Sequence, residues 1–554
     1  MANALSSSFL LGSFSSIPPS LLPIPSPLPP LLTFHHPKRP IQSSLTSIDD
    51  LICRFLDPPL RPSIDPKFIL AGNFAPVAEL PPTACEVEGF LPACLDGAYI
   101  RNGPNPQFVP RGPYHAFDGD GMLHSVRISG GQAVFCSRFV NTYKYKVEKE
   151  IGAAVVLNSF SSFTGVAASL ARSAVAISRM LSGQYDLRRG TGTVNTSLAH
   201  FGGKLFAIGE SDLPYSIKVL PDGDIVTLGR HEAFGDELMT MTAHPKVDWE
   251  SGEAFAFRHG VTRPFLSYFR INSAGIKQPE VPIFSKPQAS MVHDLAVTQN
   301  YVVFPDTQIA ISLTEILKGN PMVRADPAKI PRLGILPRYA VDETGMQWIV
   351  VPGFNMLHAF NAWEEDGDTI VMVASNMLPV ENFLENVESL HTSIERIEIN
   401  LTTKTVRRTP ISDQCLELGN INQAYVGKKN RYLYAAIESP MPKVAGVVKL
   451  DLSRYNSGDC TVATRLFEPG CYGGEPCFVA RDADNPAAAE EDDGYLVSYV
   501  HDERINVSKL IVMDAKSASL EIVAAVKLPQ RVPYGFHGIF VSQNDLHKLL
   551  LSTN

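Results

Sequence analysis

Short apolar runs separated by turn residues constrain the fold of this chain more than any other feature of its sequence. They alternate in polarity or are rich in β-branched residues, as half-buried strands are; examples are AVFCSRFV, YVVFPDTQIAI, GDTIVMVASN and GYLVSYVHDE. Asp-Gly pairs, which favour hairpin turns, occur at 118–119, 222–223, 366–367 and 493–494. The pattern predicts an all-β protein, either a sandwich, a barrel or a propeller, and no short repeat of the WD or kelch type is visible.

The composition narrows the class of protein. Of the 554 residues, 48 are basic and 57 are acidic, which gives a formal charge of −9; a nucleic-acid binder would need a dominant basic field. Only 19% of the residues are charged, against a usual value of about 25%, so the surface is less polar than average. The eight cysteines include no C-x-x-C pair, which favours reduced thiols over a disulfide framework or a cysteine metal site.

Residues 1–45 have a composition of their own. They are rich in serine and proline, no acidic residue precedes Asp49, and the prolines between Pro18 and Pro30 prevent a helix. Acid-poor, serine-rich leaders are typical of organelle import, and the scarcity of arginine favours a plastid over a mitochondrion. The alternative is a disordered tail that carries no targeting signal. The sequence predicts a plastid transit peptide at 1–45 and a folded domain at 60–554, and it contains no apolar stretch long enough to span a bilayer.

One segment, at about 160–182, breaks the strand pattern. Its large apolar residues share one side of a helix drawn at roughly 100° per residue, and Arg172 and Arg179 lie on the opposite side. The apolar set consists of Phe163, Val166, Leu170, Ile177 and Leu181. Two interpretations are open: a helix packed on the sheets, or an amphipathic helix that contacts a membrane surface and turns its basic residues to the polar side.

Four of the fourteen histidines lie in apolar, strand-like stretches: His244, His293, His358 and His537. A neutral imidazole in such a place has two nitrogens to satisfy, so it either bonds buried partners or binds a metal. For any one of them alone, hydrogen bonding in the core is the simpler interpretation. Their separations of 49, 65 and 179 residues would, in blades of regular length, place all four on inner strands around one axis. Another group has charged or polar neighbours and is predicted to be solvated: His231, His259, His391, His501 and His547.

Three acidic residues recur at comparable spacing. Glu210 precedes His244 by 34 residues, Glu417 follows His358 by 59, and Glu475 follows 58 residues later. A carboxylate behind a ligating imidazole fixes its tautomer and raises its basicity. These glutamates are therefore candidates for the supporting layer of a histidine metal site.

These contexts resemble the carotenoid cleavage dioxygenase family, which also includes the apocarotenoid oxygenases and the retinoid isomerase of the eye. The motifs occur in the family's order from about residue 65 to the end: DGAYIRNGPNPQF, FDGDGMLHSVRI, GESDLPY, TAHPKVD, VHDLAVT, NMLHAFNAWE, GGEPCFV, DDGYLVSYVHDE and PYGFHGIFV. The leader and the segments MLSGQYD, AYVGKKNRYLYAAI and PMPKVAGVVKLDLS resemble the fourth plant subgroup most. The epoxycarotenoid-cleaving branch is a near relative that the chain resembles less.

The resemblance implies a seven-bladed β-propeller with a helical cap over the active-site face and one Fe(II) on the propeller axis. The family's metal ligands fall on His244, His293, His358 and His537, and its outer glutamates fall on Glu210, Glu417 and Glu475. In the family pattern these glutamates support His293, His358 and His537 respectively, which leaves His244 without a carboxylate. The resemblance also favours membrane contact by the helix at 160–182.

By the same resemblance, the chain is expected to cleave a carotenoid C=C bond with O₂ into two apocarotenoid carbonyl products, in contact with a plastid membrane or plastoglobule. Related plant enzymes often cut the 9,10 and 9′,10′ bonds, and others cut at 7,8 or 7′,8′ to give crocetin- or citraurin-type products. A non-catalytic carotenoid-binding propeller and a non-oxidative isomerase are alternatives on the same scaffold. A zinc hydrolase would show H-E-x-x-H or similar local spacing, which is absent.

Overall fold

The computed structural model describes residues 40–56, 70–110, 114–157, 160, 165–234, 240–482 and 490–551. Within these ranges the chain forms 32 strands, all paired antiparallel, and a few helices. The all-β fold predicted from the sequence is confirmed. All eight cysteines are free thiols, as predicted. Residues 1–39 of the predicted leader lie outside the described residues.

The first four strands belong to a sheet that the far end of the chain completes. They are β1 (Leu80–Gly89), β2 (Gly97–Pro104), β3 (Gly121–Ser129) and β4 (Gln132–Phe139).

Five separate four-stranded sheets follow, each built from consecutive hairpins. The first contains β5 (Ser197–Phe201), β6 (Lys204–Ile208), β7 (Tyr215–Val219) and β8 (Ile225–Arg230). The second contains β9 (Lys246–Val247), β10 (Ala254–His259), β11 (Leu266–Ile271) and β12 (Val281–Pro282). The third contains β13 (Ala296–Val297), β14 (Tyr301–Asp306), β17 (Arg332–Pro337) and β18 (Gln347–Val350), with a two-stranded ribbon inserted, β15 (Ile309–Ile311) and β16 (Val323–Ala325). The fourth contains β19 (Met356–Glu365), β20 (Thr369–Leu378), β21 (His391–Asn400) and β22 (Thr405–Pro410). The fifth contains β23 (Leu416–Asn420), β24 (Tyr432–Glu438), β25 (Val444–Asp451) and β26 (Thr461–Leu466).

The last strands join the first four in one ten-stranded sheet. They are β27 (Cys471–Tyr472), β28 (Cys477–Ala480), β29 (Gly494–Asp502), β30 (Val507–Asp514), β31 (Ile522–Lys527) and β32 (Gly538–Ser542). Strand β1 joins the two groups on one side, because Val87 pairs with Val526 of β31 and Ala84 pairs with Val134 of β4, and β2 pairs with β32. The expectation of a seven-bladed β-propeller is therefore wrong. Five four-stranded sheets are separate, and the remaining long strands form one continuous sheet.

Helices lie between and beside the sheets. They are α1 (Pro40–Phe55), α2 (Tyr143–Ile151), α3 (Val166–Leu181), α4 (Leu313–Leu317), α5 (Asn382–Glu385) and α6 (Gln543–Leu551). Short 3₁₀ helices occur at Gly72–Phe74, Ala93–Leu95, Leu187–Arg189, Glu232–Phe234, Val387–Ser389, Gln423–Tyr425 and Leu452–Ser457. Helix α3 is the helix expected at 160–182, and Phe163 lies outside the described residues. Helix α1 begins before the leader boundary predicted at residue 45. None of the described helices has the length and apolarity that a bilayer span requires.

Helix α3 packs on α1 through its basic side. Arg179 is 2% exposed, and its Nη2 lies 2.6 Å from Asp49 Oδ2 of α1. Arg172 Nη2 lies 3.4 Å from Cys53 Sγ of the same helix. The basic side of α3 therefore lies against a neighbouring helix, and Asp49 supplies the partner of Arg179 that water would otherwise provide. The apolar residues of α3 are exposed instead: Val166, Leu170, Ile177 and Leu181.

Two histidines that were predicted to be solvated are buried. The His231 ring lies between Phe206 and Phe234, with centroids 5.1 and 4.6 Å away. His501 lies in β29, where its Nδ1 is 2.9 Å from Ser508 Oγ of β30. Successive side chains of a strand point to opposite faces, so the polar residue Asp502 beside it gives no measure of the exposure of His501.

Edge strands of neighbouring sheets contact one another. Strand β19 contacts both β13 and β23, and β32 contacts both β5 and β28. Buried apolar side chains fill the space between adjacent sheets, for example Val303 of β14 and Met372 of β20 in one cluster, and their removal from water stabilises this arrangement. These edge strands thus lie innermost, and the residues at their beginnings are brought together.

Candidate metal centre

Four histidine side chains meet where these innermost strands converge. His244 and His293 lie in the loops just before β9 and β13. His358 lies near the beginning of β19, and His537 directly precedes β32. Each therefore enters the centre from the beginning of a different innermost strand, which explains why residues so far apart in the sequence meet.

The Nε2 atoms of these histidines face one another. His293 Nε2 lies 3.1 Å from His244 Nε2 and 3.2 Å from His358 Nε2. The ligand atoms of His244, His358 and His537 all lie within 4.8 Å of one another. The ring of His537 completes the group, with its centroid 4.7 Å from that of His244. The structure thus brings all four candidate ligands to one point.

A carboxylate lies behind three of the four rings. The pairs are Glu210 Oε1 with His293 Nδ1, Glu417 Oε2 with His358 Nδ1 at 2.7 Å, and Glu475 Oε1 with His537 Nδ1 at 3.0 Å. An ionised carboxylate only accepts hydrogen bonds, so each imidazole donates its Nδ1–H. This fixes the tautomer, and the Nε2 lone pair of each ring is directed to the shared centre.

Converging lone pairs repel one another unless a cation lies between them. Nitrogens bound at about 2.1 Å and at right angles around an ion would be about 3.0 Å apart. The observed separations of 3.1 and 3.2 Å agree with that value. Imidazole donors suit zinc, copper, iron and nickel. The residues therefore fit a divalent transition metal.

Burial and neighbouring charges shift the pKa values of the histidines and of two glutamates of the site. Burial, and then the neighbouring imidazoles, hold the pKa of His244 well below its usual range, and burial lowers the pKa of His358 although Glu417 opposes it. At His293 burial is outweighed by the Glu210 carboxylate, which raises the pKa. Burial acts to raise the pKa of Glu210 and Glu417, but the adjacent histidines lower both below the ordinary carboxyl value. The carboxylates are therefore ionised acceptors at neutral pH.

A buried ion pair joins the chain segments that carry three of the histidines. Lys246 Nζ, two residues after His244, lies 2.9 Å from Asp294 Oδ2, which is adjacent to His293. Lys246 Nζ also donates to the Ala359 carbonyl oxygen at 2.8 Å, and the Ala359 N–H donates to Asp294 Oδ2 at 2.8 Å, directly after His358. We call Lys246, Asp294 and Ala359 the Lys246–Asp294 clamp. Sequence reasoning missed it; the available signal was a charged residue beside each histidine in TAHPKVD and VHDLAV.

The clamp complements the carboxylates because it reaches the histidine that lacks one. Among the described residues no carboxylate bonds the His244 ring, and its backbone N–H donates to Thr242 Oγ1 at 3.0 Å. The segment that follows His244 is held by the ion pair of Lys246. His244 is thus positioned through its backbone rather than through its ring.

Aromatic side chains form an apolar cluster, and one of its members is the chain neighbour of His537. The Phe117 ring centroid lies 5.2 Å from that of Phe383, 5.8 Å from Phe536 and 5.6 Å from Phe160. We call these four residues the aromatic wall. Phe536 directly precedes His537, and the same apolar cluster contains Leu357, which directly precedes His358. The chain segments that carry His358 and His537 therefore also contribute to an apolar surface suited to an extended apolar molecule.

Comparisons with known proteins agree with this arrangement. The family model described as retinal pigment epithelial membrane protein (RPE65) matches residues 74–542. The probable carotenoid cleavage dioxygenase 4, chloroplastic, of Arabidopsis thaliana is 56% identical over 510 residues, which is 91% of this chain and 86% of that protein. The 9-cis-epoxycarotenoid dioxygenase NCED1, chloroplastic, of Oryza sativa subsp. japonica is 52% identical over 511 residues, 90% of this chain and 80% of that protein. The zeaxanthin 7,8(7′,8′)-cleavage dioxygenase, chromoplastic, of Crocus sativus is 48% identical over 366 residues, 66% of this chain and 99% of that protein.

Solved structures show the same fold at lower identity. The lignostilbene dioxygenase of Pseudomonas brassicacearum has a TM-score of 0.72 at 23% identity and covers 86% of this chain and 98% of its own. The cobalt-substituted Synechocystis ACO has a TM-score of 0.70 at 24% identity and covers 87% of this chain and 100% of its own. The chloroplastic naming of the plant relatives confirms the plastid localisation predicted from the leader.

Proposed function

We propose that this chain, which belongs to the carotenoid cleavage dioxygenase family, cleaves a carotenoid C=C bond with O₂ at one ferrous ion. The model of that family carries the RPE65 description, and the chain is a dioxygenase, as its motifs predicted. The four converging histidines hold this ion. One observation carries the proposal: their Nε2 atoms face one another at metal-binding separations while Nδ1 of three rings is bonded to carboxylates.

The residues around the ion suit this chemistry. Fe(II), when bound, supplies the binding and activation of O₂. Four neutral imidazoles leave the charge of the ion uncompensated, in contrast to the common set of two histidines and one carboxylate. Glu210, Glu417 and Glu475 hold three of the rings in place and raise their basicity. In the overall reaction one C=C bond breaks and two C=O bonds form, both oxygens come from O₂, and no external reductant is needed.

The aromatic wall would hold the substrate. A polyene is flat and apolar, so it can lie against Phe117, Phe383 and Phe536 and displace water from the centre. Fixing one double bond near the metal supplies positioning rather than chemistry, which is the part that the protein contributes in a cofactor enzyme.

The bond that is cut is proposed from the resemblance. We favour the 9,10 and 9′,10′ bonds, because the plant subgroup that the chain resembles often cuts there. Cleavage at 7,8 or 7′,8′ is the second candidate, and the name of the Crocus relative supports it. Product masses distinguish the two, since each position divides the carotenoid into fragments of different length.

We also propose that helices α1 and α3 contact the plastid membrane or a plastoglobule surface. Both helices turn large apolar side chains outward, namely Ile48, Leu51 and Phe55 of α1 and Val166, Leu170, Ile177 and Leu181 of α3. The charge of Arg179 is turned inward to Asp49, which leaves the outer side suited to lipid. The substrate also resides in lipid. The helical cap that the resemblance implies over the site stays a prediction.

Membrane contact is tested with flotation of the full chain on galactolipid vesicles. Leu170 is 52% exposed on α3, and Leu228, on β8, is 53% exposed and serves as the matched control. We expect Leu170→Glu to reduce the bound fraction and Leu228→Glu to leave it unchanged. Equal binding by the two variants would contradict the contact.

The cleavage reaction is tested with the full chain loaded with Fe(II) and supplied with carotenoid under ¹⁸O₂. We expect label in both carbonyl products. Unchanged carotenoid would identify a binding protein, and a changed geometry without label would identify an isomerase; either outcome overturns the proposal. His293→Ala should remove iron and turnover together, whereas His547→Ala, on the exposed side of α6, should keep both.

A further inference from the structure

The motif DGAYIRNGPNPQF contains neither a candidate metal ligand nor one of the supporting glutamates, yet it contacts the chain around His537. It contains β2, which pairs with β32, and Arg101 lies opposite Gly538 in that pairing. The pairing continues beyond the beginning of β32: the Phe536 N–H donates to the Asn102 carbonyl oxygen, and the Asn102 N–H donates to the His537 carbonyl oxygen, both at 3.0 Å. The backbone of the motif therefore holds the residue that carries the fourth imidazole.

Arg101 of this motif is a buried cation. It is 2% exposed, its Nη2 donates to the Pro533 carbonyl oxygen, and its guanidinium lies over the Tyr499 ring, 5.0 Å from the centroid. Among the described residues, its Nε has no hydrogen-bond partner. A buried charge is costly, and well-packed apolar side chains often serve stability as well or better. Packing alone therefore does not explain an arginine at this position.

Two glycines allow the guanidinium to approach the backbone closely. A Cβ on Gly474 would lie 3.0 Å from Arg101 Nη1, and a Cβ on Gly535 would lie 3.0 Å from Arg101 Nε. Neither glycine has a positive φ, so the close approach, rather than the backbone conformation, requires the missing side chains. Gly474 directly precedes Glu475, and Gly535 lies two residues before His537. The guanidinium thus touches both chain segments that form the Glu475–His537 pair.

The direction of the His537 ring depends on how these two segments are held together. Glu475 Oε1 pairs with His537 Nδ1 at 3.0 Å, and Glu475 Oε2 accepts from the Gly538 N–H at 2.8 Å. A shift of one segment against the other would stretch both bonds and turn the ring away from the other three imidazoles. Burial lowers the pKa of the Arg101 guanidinium, and the charge of Glu475 is among the neighbours that oppose this. The cation and the carboxylate therefore attract each other.

We propose that Arg101 is a positioning residue of the metal centre, an inference that rests on the proposed four-histidine iron site. Its guanidinium fixes the Glu475 segment against the His537 segment, so that His537 Nε2 meets the other three ligand atoms. The planar fork of arginine offers several donors in one rigid group, which lysine does not reproduce. The Lys246–Asp294 clamp joins the segments of the other three histidines, and Arg101 serves the fourth.

The test measures the Fe(II) affinity of the full chain against a chelator, and chemical denaturation verifies that each variant is folded. Arg338→Met is the matched control for Arg101→Met, because Arg338 is also buried, donates to the Thr298 carbonyl oxygen at 3.0 Å and lies over the Phe255 ring. We expect Arg101→Met to lower iron affinity by about 10- to 100-fold, as loss of an outer partner of a metal ligand does. Arg338→Met should leave it unchanged. Equal iron affinities of the two variants would overturn the proposal.

The visible spectrum of Co(II) bound to the full chain tests whether the fourth ligand is the one disturbed, because the spectrum depends on the coordination geometry. The spectrum of Arg101→Met should move towards that of His537→Ala, and the spectrum of Arg338→Met should equal that of the wild type. A wild-type spectrum for Arg101→Met would contradict the positioning role.

Gly474→Ala disturbs Arg101 without removing it. Apart from the chain neighbours of Gly474, the described residues place only Arg101 Nη1 within 4 Å of the added Cβ. We expect this substitution to lower iron affinity by about twofold or more, the lower end of the coupling between residues in contact, and to have no effect when Arg101→Met is also present. An equal effect in both backgrounds would show that the alanine acts on Glu475 directly, which would overturn the role of Arg101.

Failure of the four-histidine site would give a different result. If the wild type and His293→Ala bound iron equally well, the iron site and the positioning role would be overturned together. If Arg101→Met does not fold, Arg101→Lys replaces it, because lysine keeps the charge and loses the planar fork. Arg101→Lys should then bind iron more weakly than Arg338→Lys, and equal affinities would overturn the proposal.

Discussion

Replacing Asp294 with asparagine breaks the Lys246–Asp294 clamp at its most buried member. Asp294 is 1% exposed, and both of its oxygens accept hydrogen bonds. Oδ1 accepts from the Leu295 N–H at 2.7 Å, and Oδ2 accepts from the Ala359 N–H at 2.8 Å and from Lys246 Nζ. An asparagine side chain has one acceptor oxygen, so its NH₂ group must face one of these donors.

The magnitude follows from the lost partners. A buried N–H left without an acceptor costs about 1–3 kcal/mol, and breaking a buried ion pair costs about 3–5 kcal/mol in total. Because Lys246 retains 20% of its side-chain exposure, we expect a loss of about 3 kcal/mol in the free energy of unfolding, the lower end of that range. Mutation of a residue that hydrogen-bonds to a metal ligand typically lowers metal affinity 10- to 100-fold, which corresponds to about 1.4–2.7 kcal/mol. The expected loss of about 3 kcal/mol in the free energy of unfolding is therefore large enough to account for a 10- to 100-fold loss of metal affinity.

The assay pairs chemical denaturation with iron titration against a chelator. Asp492→Asn is the matched control, since Lys449 Nζ lies 2.6 Å from Asp492 Oδ2 and also donates to the Ala515 carbonyl oxygen. Both variants should unfold more easily, but only Asp294→Asn should lose iron affinity 10- to 100-fold. If the two variants bind iron equally well, the clamp is a structural ion pair and does not position the histidines.

Three further substitutions test other parts of the site. Glu417→Gln should lower iron affinity 10- to 100-fold in the same titration, because glutamine is a weaker acceptor for His358 Nδ1–H; unchanged affinity would remove Glu417 from the supporting layer. Burial and the Glu417 carboxylate raise the pKa of Glu438 to about 8. Above the ordinary carboxyl range the folded state therefore keeps a proton that the unfolded chain releases. The free energy of unfolding should fall as the pH rises from that range towards about 8. Glu438→Gln should flatten that slope in urea unfolding, and equal slopes would contradict the assignment. Phe383→Ala should keep its iron but lose roughly 2- to 12-fold in kcat/KM, the value of one aromatic contact; loss of iron would show that the wall supports the metal site instead.

The convergence of the histidines is the part of the site that the sequence predicted best. His244, His293, His358 and His537 were singled out by their apolar surroundings, and the family motifs gave each a place. The apolar stretch around each of these histidines is a local feature, so the local sequence carries this information. The same holds for the all-β fold, which depends on short-range alternation.

Features that depend on pairing between distant segments could not be read in this way. The pairing of β1 with both β31 and β4, and of β2 with β32, joins the last strands to the first ones, and nothing in the sequence of these strands identifies their distant partners. The inward orientation of Arg179 depends on Asp49, 130 residues away. Lys246 and Asp294 are 48 residues apart, and neither has a local pattern that identifies the other.

The most direct test of the central claim is anomalous diffraction at the iron edge from crystals of the iron-loaded full chain. We expect one strong peak per chain, within bonding distance of Nε2 of His244, His293, His358 and His537. A peak bound elsewhere, or a peak that any of the four imidazoles does not reach, would contradict the four-histidine iron centre.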